Sequence, residues 1–149
     1  MNELASLIRE IRIFSACYVR FSTQITGRFS FGDIPDVTLH SNGNRIYSNK
    51  NDLLFRRNTV KLKLKILRLK NYQFELLGGN QLVLAKQKLF SDTWTIQSRN
   101  KDIGTYEFKV SLFPWEEVHK IYSDTNDQNI QEILLFVLCY MYEISRDCT

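Results

Sequence analysis

The sequence predicts one mainly β domain, an antiparallel β-barrel enclosing a hydrophobic C-terminal helix, with a short helix at the N-terminus. Three observations carry this. Phe and Tyr are plentiful (10 and 7) while Gly and Pro are scarce (6 and 2), a balance that favours strands. From Phe14 to Tyr122, short apolar runs alternate with turn signals and no helical pattern intervenes. From Ile133 to Tyr142 no residue carries a charge, so a helix there has no face to offer to water. A chain of 149 residues, 44% of them apolar, is large enough for one domain with its own core.

In chain order, residues 2–12 place Leu4, Leu7, Ile8 and Ile11 at helical spacing, which predicts a helix covering the edge or mouth of a sheet. Charges at Glu3, Arg9, Glu10 and Arg12 interrupt any leader-like apolar run, so no signal peptide is expected. Residues 14–122 read as antiparallel strands. Gly27, Asp33–Pro35, Ser41–Asn44, Asn49–Asp52, Asn71, Gly78–Gly79 and Asn100–Gly104 punctuate them. In Val60–Lys70, Val60, Leu62, Leu64 and Ile66 alternate with lysines, and the phase flips at Leu67. Strands have a period of two, so a β-bulge or sharp bend is expected at Ile66–Leu67, unless the strand passes between two layers there. Two hairpins follow. Tyr72 and Phe74 precede the Gly78–Gly79 turn and a return strand through Leu82 and Leu84. Trp94 and Ile96 precede the Asn100–Gly104 turn and a return through Tyr106, Phe108 and Val110.

The closing element is expected at residues 126–145. Asp124, Thr125 and Asn126 are N-cap candidates, Asp127 suits the first turn, and Thr125 with Gln128 has capping-box spacing. As a membrane span the segment is too short: from Ile130 to Ile144 a helix rises about 22 Å, against a hydrocarbon core of roughly 30 Å. Glu132 and Glu143 also sit at its two ends. A core helix fits its length and caps, and only a surrounding wall of sheet, or sheet plus other helices, can cover all its faces.

This order of parts resembles the tubby C-terminal-like superfamily, which includes the LURP-one-related proteins and the phospholipid scramblases. The segment Trp94–Phe108 looks like the recurring hairpin of those proteins, and Ile130–Ile144 looks like their terminal helix. The resemblance covers residues 14–145 and leaves the N-terminal segment outside it. It implies a closed barrel around the helix, and contact with anionic phospholipid as some members make. A pleckstrin-homology-like barrel is the structural alternative, but its terminal helix keeps a polar face.

No nucleophile elbow, P-loop, zincin or dinucleotide motif occurs, so neither enzyme activity nor a cofactor is expected. Cys17, Cys139 and Cys148 are odd in number and widely spaced, which disfavours a disulfide framework and a zinc site. Reduced thiols in a cytoplasmic protein are the simpler expectation. Cys139 falls within the apolar helix and reads as an inert core residue. His40 reads as lying on a loop edge. His119 has Glu116 and Glu117 nearby, which would allow a general-base pairing, but the plainer reading is an exposed strand or turn of mixed charge. Asp92, Asp102 and Asp124 adjoin turn residues and read as turn or capping groups.

The best binding candidates are Arg56, Arg57, Lys61, Lys63 and Lys65, a basic stripe that Lys86 and Lys88 of a neighbouring strand would extend. The chain carries a net charge of +4. Such a face suits phosphates of lipid headgroups, although charged outward positions also serve simply to blunt strand edges. The expected function is a non-enzymatic binding or scaffold domain contacting anionic phospholipid through this stripe. The alternative is a protein-interaction or nucleic-acid module using the same face. Nucleic acid is less favoured, because no aromatics interleave with the stripe.

Overall fold

The computed structural model describes residues 2–11, 18–23, 29–33, 37–41, 44–48, 55–56, 62–63, 70–76, 82–89 and 91–147. The strands are β1 (Glu3–Glu10), β2 (Tyr18–Thr23), β3 (Phe29–Asp33), β4 (Val37–Ser41), β5 (Asn44–Ser48), β6 (Phe55–Arg56), β7 (Leu62–Lys63), β8 (Lys70–Leu76), β9 (Leu82–Gln87), β10 (Thr93–Ser98), β11 (Lys101–Leu112) and β12 (Trp115–Tyr122). The helix α1 (Gln128–Asp147) follows. Among the described residues, nine strands form one antiparallel sheet in the order β2-β1-β12-β11-β10-β9-β8-β6, with β7 also on β8. β3, β4 and β5 form a separate meander. The fold is therefore mainly β with one C-terminal helix. The large sheet runs open from β2 to β6, and no ladder joins its two ends among the described residues.

The helix expected over residues 2–12 is instead a strand. β1 lies between β12 and β2, with Ala5 opposite both Ile121 and Thr23, so its backbone groups are satisfied on both edges. Leu4, Ala5, Ser6 and Leu7 are all buried. A strand covered on both faces reads as a continuous apolar run, and this run happened to match helical spacing as well.

The Val60–Lys70 run folds back on itself rather than continuing as one straight strand. Leu62 pairs antiparallel with Asn71, and Lys63 with Lys70, so the two ends of the run face each other. The phase flip at Ile66–Leu67 lies outside the described residues.

The two expected hairpins are present as β8–β9 and β10–β11. The β10–β11 turn is tighter than the Asn100–Gly104 spacing suggested. Arg99 and Asn100 take φ of 52° and 62°. Positive φ at both central residues is what a two-residue hairpin requires. Lys101 is already strand. Partners then jump from Asp102 to Gly104 across β10, leaving Ile103 as the extra residue of a bulge. Gly104 is needed because α1 comes close. A Cβ there would lie 2.8 Å from the Tyr122 carbonyl oxygen and 2.9 Å from Leu134 Cδ2.

Asp127 is the N-cap of α1, one position beyond the expected candidates. Its Oδ1 accepts from Asn129 N at 2.9 Å and Ile130 N at 3.4 Å, and its carbonyl accepts from Gln131 N at 3.0 Å. Thr125 supports the cap: its Oγ1 accepts from Asp127 N at 3.1 Å, and its carbonyl from Gln131 Nε2 at 3.2 Å. The helix entry is also tied to the start of β1. Asn2 N donates to Asp124 Oδ1 at 2.9 Å, and Ser123 N donates to the Asn2 carbonyl at 2.9 Å.

Every residue from Ile133 to Tyr142 is buried. The helix packs against β12, β1 and β11 of the large sheet and against β4 of the small one, so cover comes from more than one direction. Burying each large apolar side chain contributes roughly 1.5–3 kcal/mol, and this segment is the centre of the core. Among the described residues no helix is long and apolar enough to cross a membrane.

Candidate functional site

Of the basic stripe, Arg56 lies in β6 opposite Glu75, and Lys63 lies in β7 opposite Lys70. Arg57, Lys61 and Lys65 lie outside the described residues, as do Cys17 and Cys148. Lys86 on β9 and Lys88 just beyond it are exposed. His40 is not on a loop edge but within β4, opposite Ser30 and Arg45. Cys139 is fully buried and in no disulfide, as the helix pattern implied. Asp102 accepts from Gln97 Nε2 at 2.8 Å beside its turn.

The segment around His119 corrects the expectation of an exposed, mixed-charge strand. It is β12, held between β1 and β11 in the middle of the large sheet. Its residues alternate, so Glu117, His119 and Ile121 turn inward and are buried. Opposite positions on the neighbours share this face: Arg9 faces Glu117 across β1, and Phe108 faces His119 across β11.

The result is a polar line inside an aromatic shell. Tyr106 Oη and His119 Nδ1 are 2.7 Å apart. His119 Nε2 stands 3.9 Å from Glu117 Oε2, and Arg9 Nη1 stands 3.6 Å from the same oxygen. Both are too long for hydrogen bonds, and the second is an ion pair. Among the described residues Glu117 Oε2 accepts no hydrogen bond. The ring of Phe108 lies 4.9 Å from that of His119, and Tyr142 of α1 meets it edge-on at 5.4 Å.

Burial pushes the His119 imidazole below its ordinary value of 6.5, and the Glu117 carboxylate only partly offsets this. Glu117 is held below the ordinary 4.5, first by His119, against the opposing effect of burial, and then by Arg9. In the neutral tautomer that accepts a hydrogen bond from the Tyr106 hydroxyl at Nδ1, His119 carries its own N–H on Nε2, the nitrogen on the carboxylate side. The pairing of His119 with Glu117 is real, but the site is sealed, because His119 has no exposed surface. A cleft of about 520 Å3 lies beside the start of α1, and neither His119 nor Glu117 lines it. Its charged lining is balanced, Lys88 and Lys101 against Asp102 and Asp124. Among the described residues no group of three His, Cys, Asp or Glu side chains could hold a metal ion.

The outward-facing feature that stands out is the closed end of the β11–β12 hairpin, which the sequence reading passed over. Val110 is 52% exposed, Leu112 69%, Phe113 95% and Trp115 44%. Leu112 pairs with Trp115, and the cis Phe113–Pro114 bond lies between them. The signal was present as three large apolar residues around the proline of a turn, where polar residues are usual.

No family model, curated protein or solved structure matches the chain.

Proposed function

We propose that the chain is a non-enzymatic binding domain whose partner is an anionic phospholipid surface. The observation that carries the first part is the closure of the Tyr106–His119–Glu117 line. The titratable groups of this line are covered by α1 and by aromatic rings, so no substrate can reach them. Their work is to fix the sheet and helix against each other, and contact with partners falls to the surface. The phospholipid part is supported by the net charge of +4, by the alternation of Lys61, Lys63 and Lys65 with apolar residues, and by the tubby-like order of parts. A barrel closed around α1 belongs to the same reading. A cytoplasmic location would bring the domain to an anionic leaflet.

Co-sedimentation with phosphatidylcholine vesicles, with and without phosphatidylserine, tests the reading. Binding that requires phosphatidylserine, and that weakens when Lys61, Lys63 and Lys65 are changed to Glu, is expected. Failure of the unaltered protein to sediment with either vesicle would remove phospholipid as the partner.

A further inference from the structure

We propose that the closed end of the β11–β12 hairpin inserts shallowly into the interface of an anionic lipid bilayer, with Leu112, Phe113 and Trp115 as the inserted side chains. The inference rests on the phospholipid reading and names the contact within it. Four consecutive residues, Leu112-Phe113-Pro114-Trp115, carry no charged side chain and form the closed end of the hairpin, where Ile11 N donates to the Trp115 carbonyl at 3.0 Å. Val110 extends the apolar surface one step down the same face of the hairpin. An exposed apolar turn suits a fluid apolar phase, which needs no matching pocket, and Trp is favoured at the bilayer interface.

The charges beside the tip favour an anionic surface. Arg20 Nη2 reaches Glu116 Oε2 at 3.1 Å, yet the arginine side chain is 54% exposed and the glutamate 17%. Lys109 is paired with Glu107 at 3.7 Å in the same manner, 69% exposed against 21%. In each pair the cation is the more exposed partner, and among the described residues beside the tip these two cations are the most exposed charges, with Glu10, opposite Glu116, only partly exposed. The spacing also agrees. Lys109 stands three residues behind Leu112, about 10 Å along the strand. Apolar insertion to the headgroup boundary runs to roughly 5–10 Å. Insertion of Phe113 therefore brings Lys109 and Arg20 to the level of the phosphates.

The chain's two tryptophans separate the test from the fold, because Trp94 is buried and Trp115 is not. Emission of the unaltered protein should shift to the blue on phosphatidylcholine–phosphatidylserine vesicles, and Trp115→Phe should abolish the shift while leaving the fold intact. The double variant Leu112→Ser with Phe113→Ser should bind these vesicles at least about tenfold more weakly, with an unchanged unfolding midpoint. Vesicle binding that survives this variant undiminished would overturn the tip as the contact and leave the phospholipid reading standing. No vesicle binding by the unaltered protein would overturn both. Equal binding to uncharged vesicles would overturn the role of Arg20 and Lys109. A dimer in sedimentation velocity that Phe113→Ser converts to monomer, with no emission shift on vesicles, would make the tip a self-association surface instead.

Discussion

Along one face of the β11–β12 hairpin, Tyr106 and Ile121 are sealed in the core, whereas Leu112 and Trp115, six residues along each strand, stand in solvent. The residue types are alike and the strands are continuous. What differs is the cover. The ring of Tyr142 reaches His119, and one step further along the face Val110 is half exposed. An apolar strand position is thus a core position only where a second layer lies over it. Under that layer, even His119 is held inside.

The largest test of this contrast is a pair of truncations. Phe136→Ala in the buried helix should lower stability by about 3–5 kcal/mol in urea unfolding. Phe113→Ala at the tip should change it by less than about 0.5 kcal/mol. Similar costs at both sites would break the comparison. Next is Gly104→Ala. The new methyl meets the Tyr122 carbonyl oxygen and Leu134, and should cost about 1–3 kcal/mol by the same measurement. Tyr106→Phe leaves the buried His119 Nδ1 without its partner, at a cost of about 1–3 kcal/mol.

The smallest expected effect is on pH dependence. His119 binds a proton less readily folded than unfolded, so the unfolded state takes up more protons as pH falls below about 6.5. The penalty is absent above that value, grows as pH falls, and levels off at the folded value. Glu117 is depressed below 4.5, so the stability it contributes is present above that value and is lost as pH falls through its folded value. Both effects lower stability in acid. Urea midpoints measured between about pH 7 and pH 4 should fall steadily, and His119→Phe should flatten the upper part of the curve. A flat profile for the unaltered protein would show that His119 is not sealed.

Much of this was legible in the sequence, for definite reasons. Ile133–Tyr142 has no polar face, from which its burial follows, and the length and caps of the segment mark it as helix. The β8–β9 and β10–β11 hairpins follow from alternation around turn residues. The N-terminal strand was misread because burial on both faces of β1 removed the alternation that identifies strands. The burial of His119 was hidden because its neighbours Glu116, Glu117 and Lys120 suggest water, and only the period of two shows which of them turn inward. Gly104 looked like part of a turn, while the reason for it, the approach of Leu134, lies thirty residues away. The tip was missed because exposure depends on where α1 stops covering β11, which no local pattern records.

Acrylamide quenching of tryptophan emission tests the contrast between the sealed and the offered end most directly. One quenchable and one protected tryptophan are expected in the unaltered protein. Trp115→Phe should leave only protected emission, and anionic vesicles should protect Trp115 in the unaltered protein. Quenchable emission that remains in Trp115→Phe would place Trp94 in solvent and contradict the sealed core. A Trp115 still fully quenchable on vesicles that have bound the protein would contradict the role given to the tip.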